Sequence, residues 1–465
     1  MNEVLDASAL EQVALLRAGK ISSEELVRGY LERIERLDPH VHAFVSVSRR
    51  RALAAARWKD LQSRRRSNGG EAPAFHGVPI GIKDLNIVRG TTTRWGSRGA
   101  LPVMLPVDDF TVAPLRRAGF VFLGKLSTSE WGAMPVTEPD THPPTRNPWS
   151  LAHSAGGSSG GSGAALAARM LPVAQGSDGA GSIRIPAAFC HLVGLKPSRG
   201  RLRNAFGMND RAMLYTSGPM GHTVDDVAAM LDVMSGPAYG RPHWAPSPPR
   251  PFAELARERP PHLRIRVLTR TPLAPTHPEI AAAVERVGRQ MADLGHEVEE
   301  GTLPETSFEE IVPLWKHLIS TIPLTRWQKT QPITRWLAET GKTFRAADIG
   351  ALHALLAGRY RRALESVDLW LSPTVAQPAP AIGAYRDLAP EDAFAAAAEL
   401  GGYTAVFNVT GLPAINVPLG LTTDGRPMGL QVSGRMFDEG LILAVARQLE
   451  EMLDWKQRRP PPLSP

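Results

Sequence analysis

The sequence predicts an α/β protein built on one large, mixed but mostly parallel twisted sheet, with helices on both faces. Three observations predict it. Amphipathic helical stretches and short apolar strands alternate along all 465 residues without a clean break. Two segments, 106–125 and 277–304, run helix, glycine, strand, which is the rhythm of parallel α/β units. A third, 407–434, reads as two strands around a Thr-Asp-Gly turn, a hairpin signal that makes the sheet mixed. The length allows several domains, but the unbroken alternation favours one domain over 1–465.

The elements follow in order. Residues 7–60 read as two or three helices, the first part of an N-terminal helical region over 1–66. In SSEELVRGYLERIERL, Ser22 or Ser23 can cap, Glu24 and Glu25 fill the first turn, and Leu26, Tyr30, Ile34 and Leu37 mark one face. Asp38-Pro39 is expected to end that helix. A short strand lies in HVHAFVSVS (40–48), then a helix, then a loop over 66–73. In GVPIGIKD, Val78, Ile80 and Ile82 alternate with Pro79, Gly81 and Lys83, so one strand face is apolar. The other leaves a hollow with an ammonium in it. Residues 137–153 read as proline-rich loop, 222–236 as helix, and 237–262 as a proline-dense excursion. A strand follows at 263–270. Trp315, Trp327 and Trp336 sit on helical segments as packing residues. Residues 366–380 are a buried strand running into a loop, and the chain ends on the helix of DEGLILAVARQLEEML.

Composition excludes several function classes. The single cysteine, Cys190, rules out an internal disulfide and a Cys-rich zinc site, and its apolar neighbours predict a buried thiol. The formal charge of +7 comes from scattered arginines plus short clusters at 49–51 and 64–66. No aromatic-interleaved basic patch accompanies them, so a nucleic-acid partner is not expected. No run of 18 apolar residues suggests a membrane span, and the acidic, helical N-terminus is unlike a secretory leader. A cytoplasmic protein is expected, and a homodimer is compatible with the sequence. The histidines are scattered without H-E-x-x-H spacing, so no metal is expected.

The chemistry concentrates in Ser154–Ser182, where eight of 29 residues are Gly and six are Ser. Glycine this dense brings backbone close to something, and the serines present hydroxyls there. Phosphate binding does not fit: a P-loop needs Gly-Lys-Ser/Thr, and the near match Gly119–Leu126 lacks the hydroxyl and is an apolar strand. No G-x-G-x-x-G opens a helix either. Gly156-Gly157-Ser158-Ser159-Gly160 satisfies G-x-S-x-G, but the hydrolase elbow needs a strand directly before its serine, and NPWSLAHSA does not read as one. A Ser nucleophile with a Lys base remains.

Lys83 in GVPIGIKD, Ser158 in GGSSGGSGAALAA and Ser182 in GSDGAGSIRIPAAFCHLVGLKPSRGRL, with TRNPW (145–149) and FNVTGLPAINVPLG, together resemble the amidase signature family. The resemblance covers nearly the whole chain and includes the 24-residue spacing of the two serines. It implies the amidase signature fold, with 77–236 as catalytic core and 263–465 supplying the rest of the sheet and the pocket helices. It implies that Ser182 is the nucleophile, that Ser158, after a cis peptide, relays the proton, and that Lys83 is the base. Lys works as a base only when neutral, and burial lowers its pKa toward that state. Gly179, Ala180 and Gly181, with Ser182, are expected to offer N–H groups to an oxyanion, provided that Ala180, where many members have Gly, keeps a negative φ. Asp178 and Arg184 are expected to pair beneath the loop, and Ser159 to orient it. Met134, in the turn after Trp131, is expected to touch the substrate, with 300–345 shaping the acyl pocket. The resemblance thus implies a cofactor-free hydrolase of a small carboxylic amide. The alternative is an amidotransferase A-type subunit that releases ammonia from glutamine for a partner protein. Such subunits carry Gln where this chain has Ile185, which argues against it.

Overall fold

The structure, a computed structural model, describes residues 1–65, 72–203, 210, 212–236 and 245–463. Most of the loop expected over 66–73, and residues 237–244 of the proline-dense excursion, lie outside the described residues.

Thirteen strands are present among the described residues. They are β1 (Phe44–Val47), β2 (Pro79–Lys83), β3 (Val121–Leu126), β4 (Arg146–Asn147), β5 (Ser150–Ser154), β6 (Val173–Asp178), β7 (Val193–Lys196), β8 (Thr216–Gly221), β9 (Arg264–Leu268), β10 (Glu297–Gly301), β11 (Leu369–Pro373), β12 (Ala414–Leu421) and β13 (Pro427–Gly434). Eleven of them form one sheet in the order β1-β3-β2-β6-β8-β7-β12-β13-β11-β9-β10, while β4 and β5 pair separately. The sheet is mixed, as expected, but its parallel part is smaller than the helix–strand rhythm suggests. Parallel pairing is confined to β3-β2-β6 and β11-β9-β10. Between them, β8 returns antiparallel to both β6 and β7, and the β12–β13 hairpin inserts antiparallel to β7 and β11.

Alternation along the strands sorts side chains to two faces. Ile80 and Ile82 of β2, Leu195 of β7, Ile415 and Val417 of β12, and Leu430 and Val432 of β13 share one cluster with Val224–Met234, Pro278–Asp293 and Glu439–Leu453. The opposite face carries two clusters. One gathers around the helices Ser23–Val41 and Gly160–Ala167. The other gathers around Phe308–Ser320, Pro332–Gly341 and Ala346–Ala363. The candidate site lies where these two meet.

Several local expectations hold for the reasons given. Ser22 and Glu25 form a reciprocal capping box, and Cys190 is buried. Four do not. The helix expected to stop at Asp38-Pro39 runs to Val41 and closes on His42 at φ 59°, because a proline in the last turn forfeits one helical bond while Asp38 accepts the Ala43 N–H at 2.7 Å. The segment 137–153 contains the β4–β5 hairpin, pinned where Asn147 accepts the Trp149 N–H and donates to the Phe189 carbonyl. Phe407–Val409 belong to a short helix, Ala405–Thr410, closed by Gly411 at φ 78°, and the hairpin starts only at Ala414. Finally, β2 is buried on both faces. No hollow lies at Gly81, where an added Cβ would come within 2.6 Å of Leu171 and 2.7 Å of Leu126.

Candidate active site

The site is assembled at the carboxyl ends of the adjacent parallel strands β2 and β6, where open α/β sheets place their ligands. Lys83 is the last residue of β2, and Asp178 ends β6. Beyond β6 the chain turns through 179–182 into the helix Arg184–Phe189.

Lys83 is wholly buried; its ammonium nitrogen donates to Ser158 Oγ at 2.7 Å and to the Ser177 carbonyl at 3.3 Å. Burial holds its pKa well below that of a free lysine, against the opposing pull of the Asp178 carboxylate. The Gly157–Ser158 peptide is cis. Ser158 and Ser182 line the same cavity, and the Ser182 carbonyl accepts the Ser159 N–H at 3.2 Å. Ser159 Oγ in turn donates to the Ser177 carbonyl at 3.2 Å. The structure therefore brings together all three residues singled out from the sequence. The strand before Ser158 does exist, as β5, but it belongs to the small separate hairpin and ends at Ser154, so no elbow forms.

The glycines are where backbone must approach backbone. A Cβ on Gly157 would lie 2.7 Å from the Val136 nitrogen, and one on Gly161 would lie 2.3 Å from the Ser127 nitrogen. Thr137 fastens the same loop: its Oγ1 donates to the Gly156 carbonyl at 2.9 Å and accepts the Gly160 N–H at 3.1 Å.

Of the N–H groups expected around an oxyanion, one is not free. Gly181 donates to Asp178 Oδ1 at 2.7 Å, because the buried carboxylate must satisfy its lone pairs within the turn. The N–H groups of Gly179, Ala180 and Ser182 find no acceptor among the described residues. Ala180 does not take a positive φ, so the alanine fits. Its carbonyl is held by Thr404 Oγ1 at 2.7 Å.

Asp178 and Arg184 form a fully buried bidentate pair, Nε–Oδ2 and Nη2–Oδ1 both at 3.0 Å. Burial alone would raise the Asp178 pKa; the Arg184 guanidinium overrides this and brings it to about 2. Arg184 also donates to Gln431 and Asn408, both at 2.7 Å, and Asn408 donates to the Asp178 carbonyl at 2.9 Å. Sequence reasoning assigned no role to Asn408, Gln431, Thr404 or Thr137. The signal available for Gln431 was a polar residue in an otherwise apolar strand. Arg184→Met leaves Asp178 buried and uncompensated, and we expect it to cost about 3–5 kcal/mol of stability, read as a lower urea midpoint at pH 7.

Two apolar lobes meet at Ser182. The smaller, about 70 Å³, includes Met134, Ile185 and Val312. The larger, about 460 Å³, includes Trp131, Tyr215 and Ile322. Met134 and Trp315 thus line the site, whereas Trp327 and Trp336 do not line either lobe. Among the described residues no cluster of three or more His, Cys, Asp or Glu could hold a metal ion, and no helix is long and apolar enough to cross a membrane.

The chain matches the family model described as Amidase over residues 25–443. It is 36% identical over 495 residues to the 6-aminohexanoate-cyclic-dimer hydrolase of Paenarthrobacter ureafaciens, covering 99% of this chain and 97% of that one. A solved structure of 6-aminohexanoate cyclic dimer hydrolase complexed with substrate superposes with a TM-score of 0.88 at 34% identity, over 98% of this chain and 99% of that one. The native peptide amidase from Stenotrophomonas maltophilia superposes with a TM-score of 0.82 at 25% identity, over 99% of each chain.

Proposed function

The chain belongs to the amidase signature family, a hydrolase of amide C–N bonds, and we propose that it acts through a Ser182 acyl-enzyme with Ser158 as proton relay and Lys83 as base. The observation that carries this reading is the 2.7 Å bond from a buried lysine to Ser158, on a cavity wall shared with Ser182. Ser182 Oγ attacks the amide carbonyl carbon and forms a C–O bond. Its proton passes to Ser158 Oγ as the Ser158 proton passes to neutral Lys83 Nζ. The N–H groups of Gly179 and Ala180 receive the developing oxyanion, a term worth roughly 3–4 kcal/mol per donor. The C–N bond then breaks, the leaving nitrogen takes the proton back along the same path, and water releases the acid by the same steps. The whole of 1–465 is read as one unit, since strands from both ends of the chain share one sheet.

Hydroxylamine tests the acyl-enzyme. In a panel of primary, secondary and cyclic amides, we expect added hydroxylamine to divert product to the hydroxamate in proportion to its concentration. Turnover confined to glutamine, or dependent on a co-purifying protein, would replace this reading with the amidotransferase one. The apolar Ile185 in the smaller lobe supports the hydrolase.

A further inference from the structure

The two lobes differ in size and in which part of the machinery they contain. Ser182, Gly132 and Trp315 line both. Trp315 is the partition between them. It is buried, its Nε1 donates to the Ala133 carbonyl at 3.3 Å, and its ring lies against Gly179, where an added Cβ would come within 2.8 Å. Ser158 lines only the larger lobe, and Ala180 only the smaller. Neither lobe is lined by an acidic or basic side chain among the described residues.

This asymmetry orients the substrate. The leaving nitrogen must collect a proton from Ser158, so it has to face the lobe that holds Ser158. The carbonyl oxygen lies against the Gly179–Ala180 backbone at the boundary. The acyl substituent, on the far side of the carbonyl carbon, is left with the smaller lobe. A cavity of about 150 Å³ accommodates benzene, so one of about 70 Å³ suits an acyl chain of about two to four carbons. The larger lobe, about 460 Å³, falls in the range of pockets that enclose whole drug-sized ligands. Part of its wall is aromatic: the Trp95 and Trp131 rings stack with centroids 5.1 Å apart and 11° between planes, a surface suited to another flat ring.

Building on the acyl-enzyme reading, we propose that the preferred substrates are uncharged secondary amides in which a short apolar acyl group occupies the Met134–Val312 lobe and a bulky apolar amine, aryl above all, occupies the Trp131–Ile322 lobe. Trp315 separates the two, so size selection on the acid side and on the amine side are independent.

Two amide series test this, each rate being divided by that of hydroxide hydrolysis to remove leaving-group reactivity. In anilides from acetyl to octanoyl, kcat/KM is expected to fall at least about 10-fold beyond butyryl. In acetamides of ammonia, methylamine, aniline and 2-naphthylamine, it is expected to rise at least about 10-fold from the first to the aryl members. Val312→Phe is expected to lower the butyranilide-to-acetanilide ratio, and Ile322→Trp the naphthyl-to-phenyl ratio, with neither affecting the other's ratio. A preference for octanoyl over acetyl, for primary over aryl amides, or crossed effects of the two variants would overturn the assignment. The wild-type series decide it even if a variant fails to fold. Ser182 labelling by a fluorophosphonate distinguishes the failures: if it persists, only the substrate assignment falls; if it is absent and neither series turns over, the acyl-enzyme reading falls as well.

Discussion

Ser182→Ala lowers kcat by about 10⁵-fold, roughly 7 kcal/mol of barrier, and leaves the unfolding free energy from urea titration within about 0.5 kcal/mol of wild type. The loss is large because the two serines of the neighbouring loop are already engaged. Ser158 is already bonded to Lys83, and Ser159 Oγ is committed to the Ser177 backbone. The fold is indifferent because the Ser182 side chain makes no hydrogen bond among the described residues; its contribution to the loop is its backbone carbonyl, which alanine retains. Fluorophosphonate labelling should vanish with activity. Labelling of Ser158 in this variant, or residual turnover above about 1%, would move the nucleophile elsewhere.

Lys83→Ala is expected to lower kcat by about 10⁴-fold, and Lys83→Arg to be as inactive at every pH, since guanidinium stays protonated. The wild-type profile should rise as pH passes upward through the lowered Lys83 pKa and then level off. The same shift enters stability with a definite sign. A lysine whose folded pKa lies below its unfolded value binds fewer protons in the native state over the interval between the two, so stability rises with pH there. Below that interval the cost of burying the amine is felt in full. Lys83→Met, which keeps the volume and removes the charge, should therefore raise the melting temperature by a few degrees at neutral pH and flatten its pH dependence while remaining inactive. An Ala variant whose rate recovers at high pH would exclude Lys83 as the base, and a Lys83→Met protein that melts lower than wild type would show that the bonds to Ser158 and Ser177 outweigh the cost of burying the amine.

Much of this site was legible in the sequence because its chemistry is carried in short blocks. Lys83, Ser158 and Ser182 sit in stretches whose residue types have few other uses. What could not be read was tertiary. Gly181 looks as suitable for an oxyanion as Gly179 until the Asp178 carboxylate claims its hydrogen. Arg184 meets Asn408 and Gln431 across 224 and 247 residues, a separation that no local pattern encodes. Trp315, Trp327 and Trp336 have similar helical surroundings in sequence, and only packing sends the first to the cavity. Helix–glycine–strand units announce parallel pairing in the sequence, whereas the return of β8 between β6 and β7 leaves no local mark there.

The last two strands in the chain, β12 and β13, lie not at an edge but in the interior of the sheet, between β7 and β11. During synthesis, then, the ribosome has released every residue of the proposed catalytic apparatus long before the sheet is continuous. Until β13 has emerged, the nascent chain can form only two part-sheets, one ending at β7, or at β12 once that strand is out, and the other at β11, each with an unpaired inner edge of the kind that invites pairing with other chains. Gln431, the partner of Arg184, arrives with the closing hairpin. The proposed chemistry is thus in place early and its mechanical support late, and the hairpin that joins the two part-sheets also delivers the support beneath the proposed nucleophile.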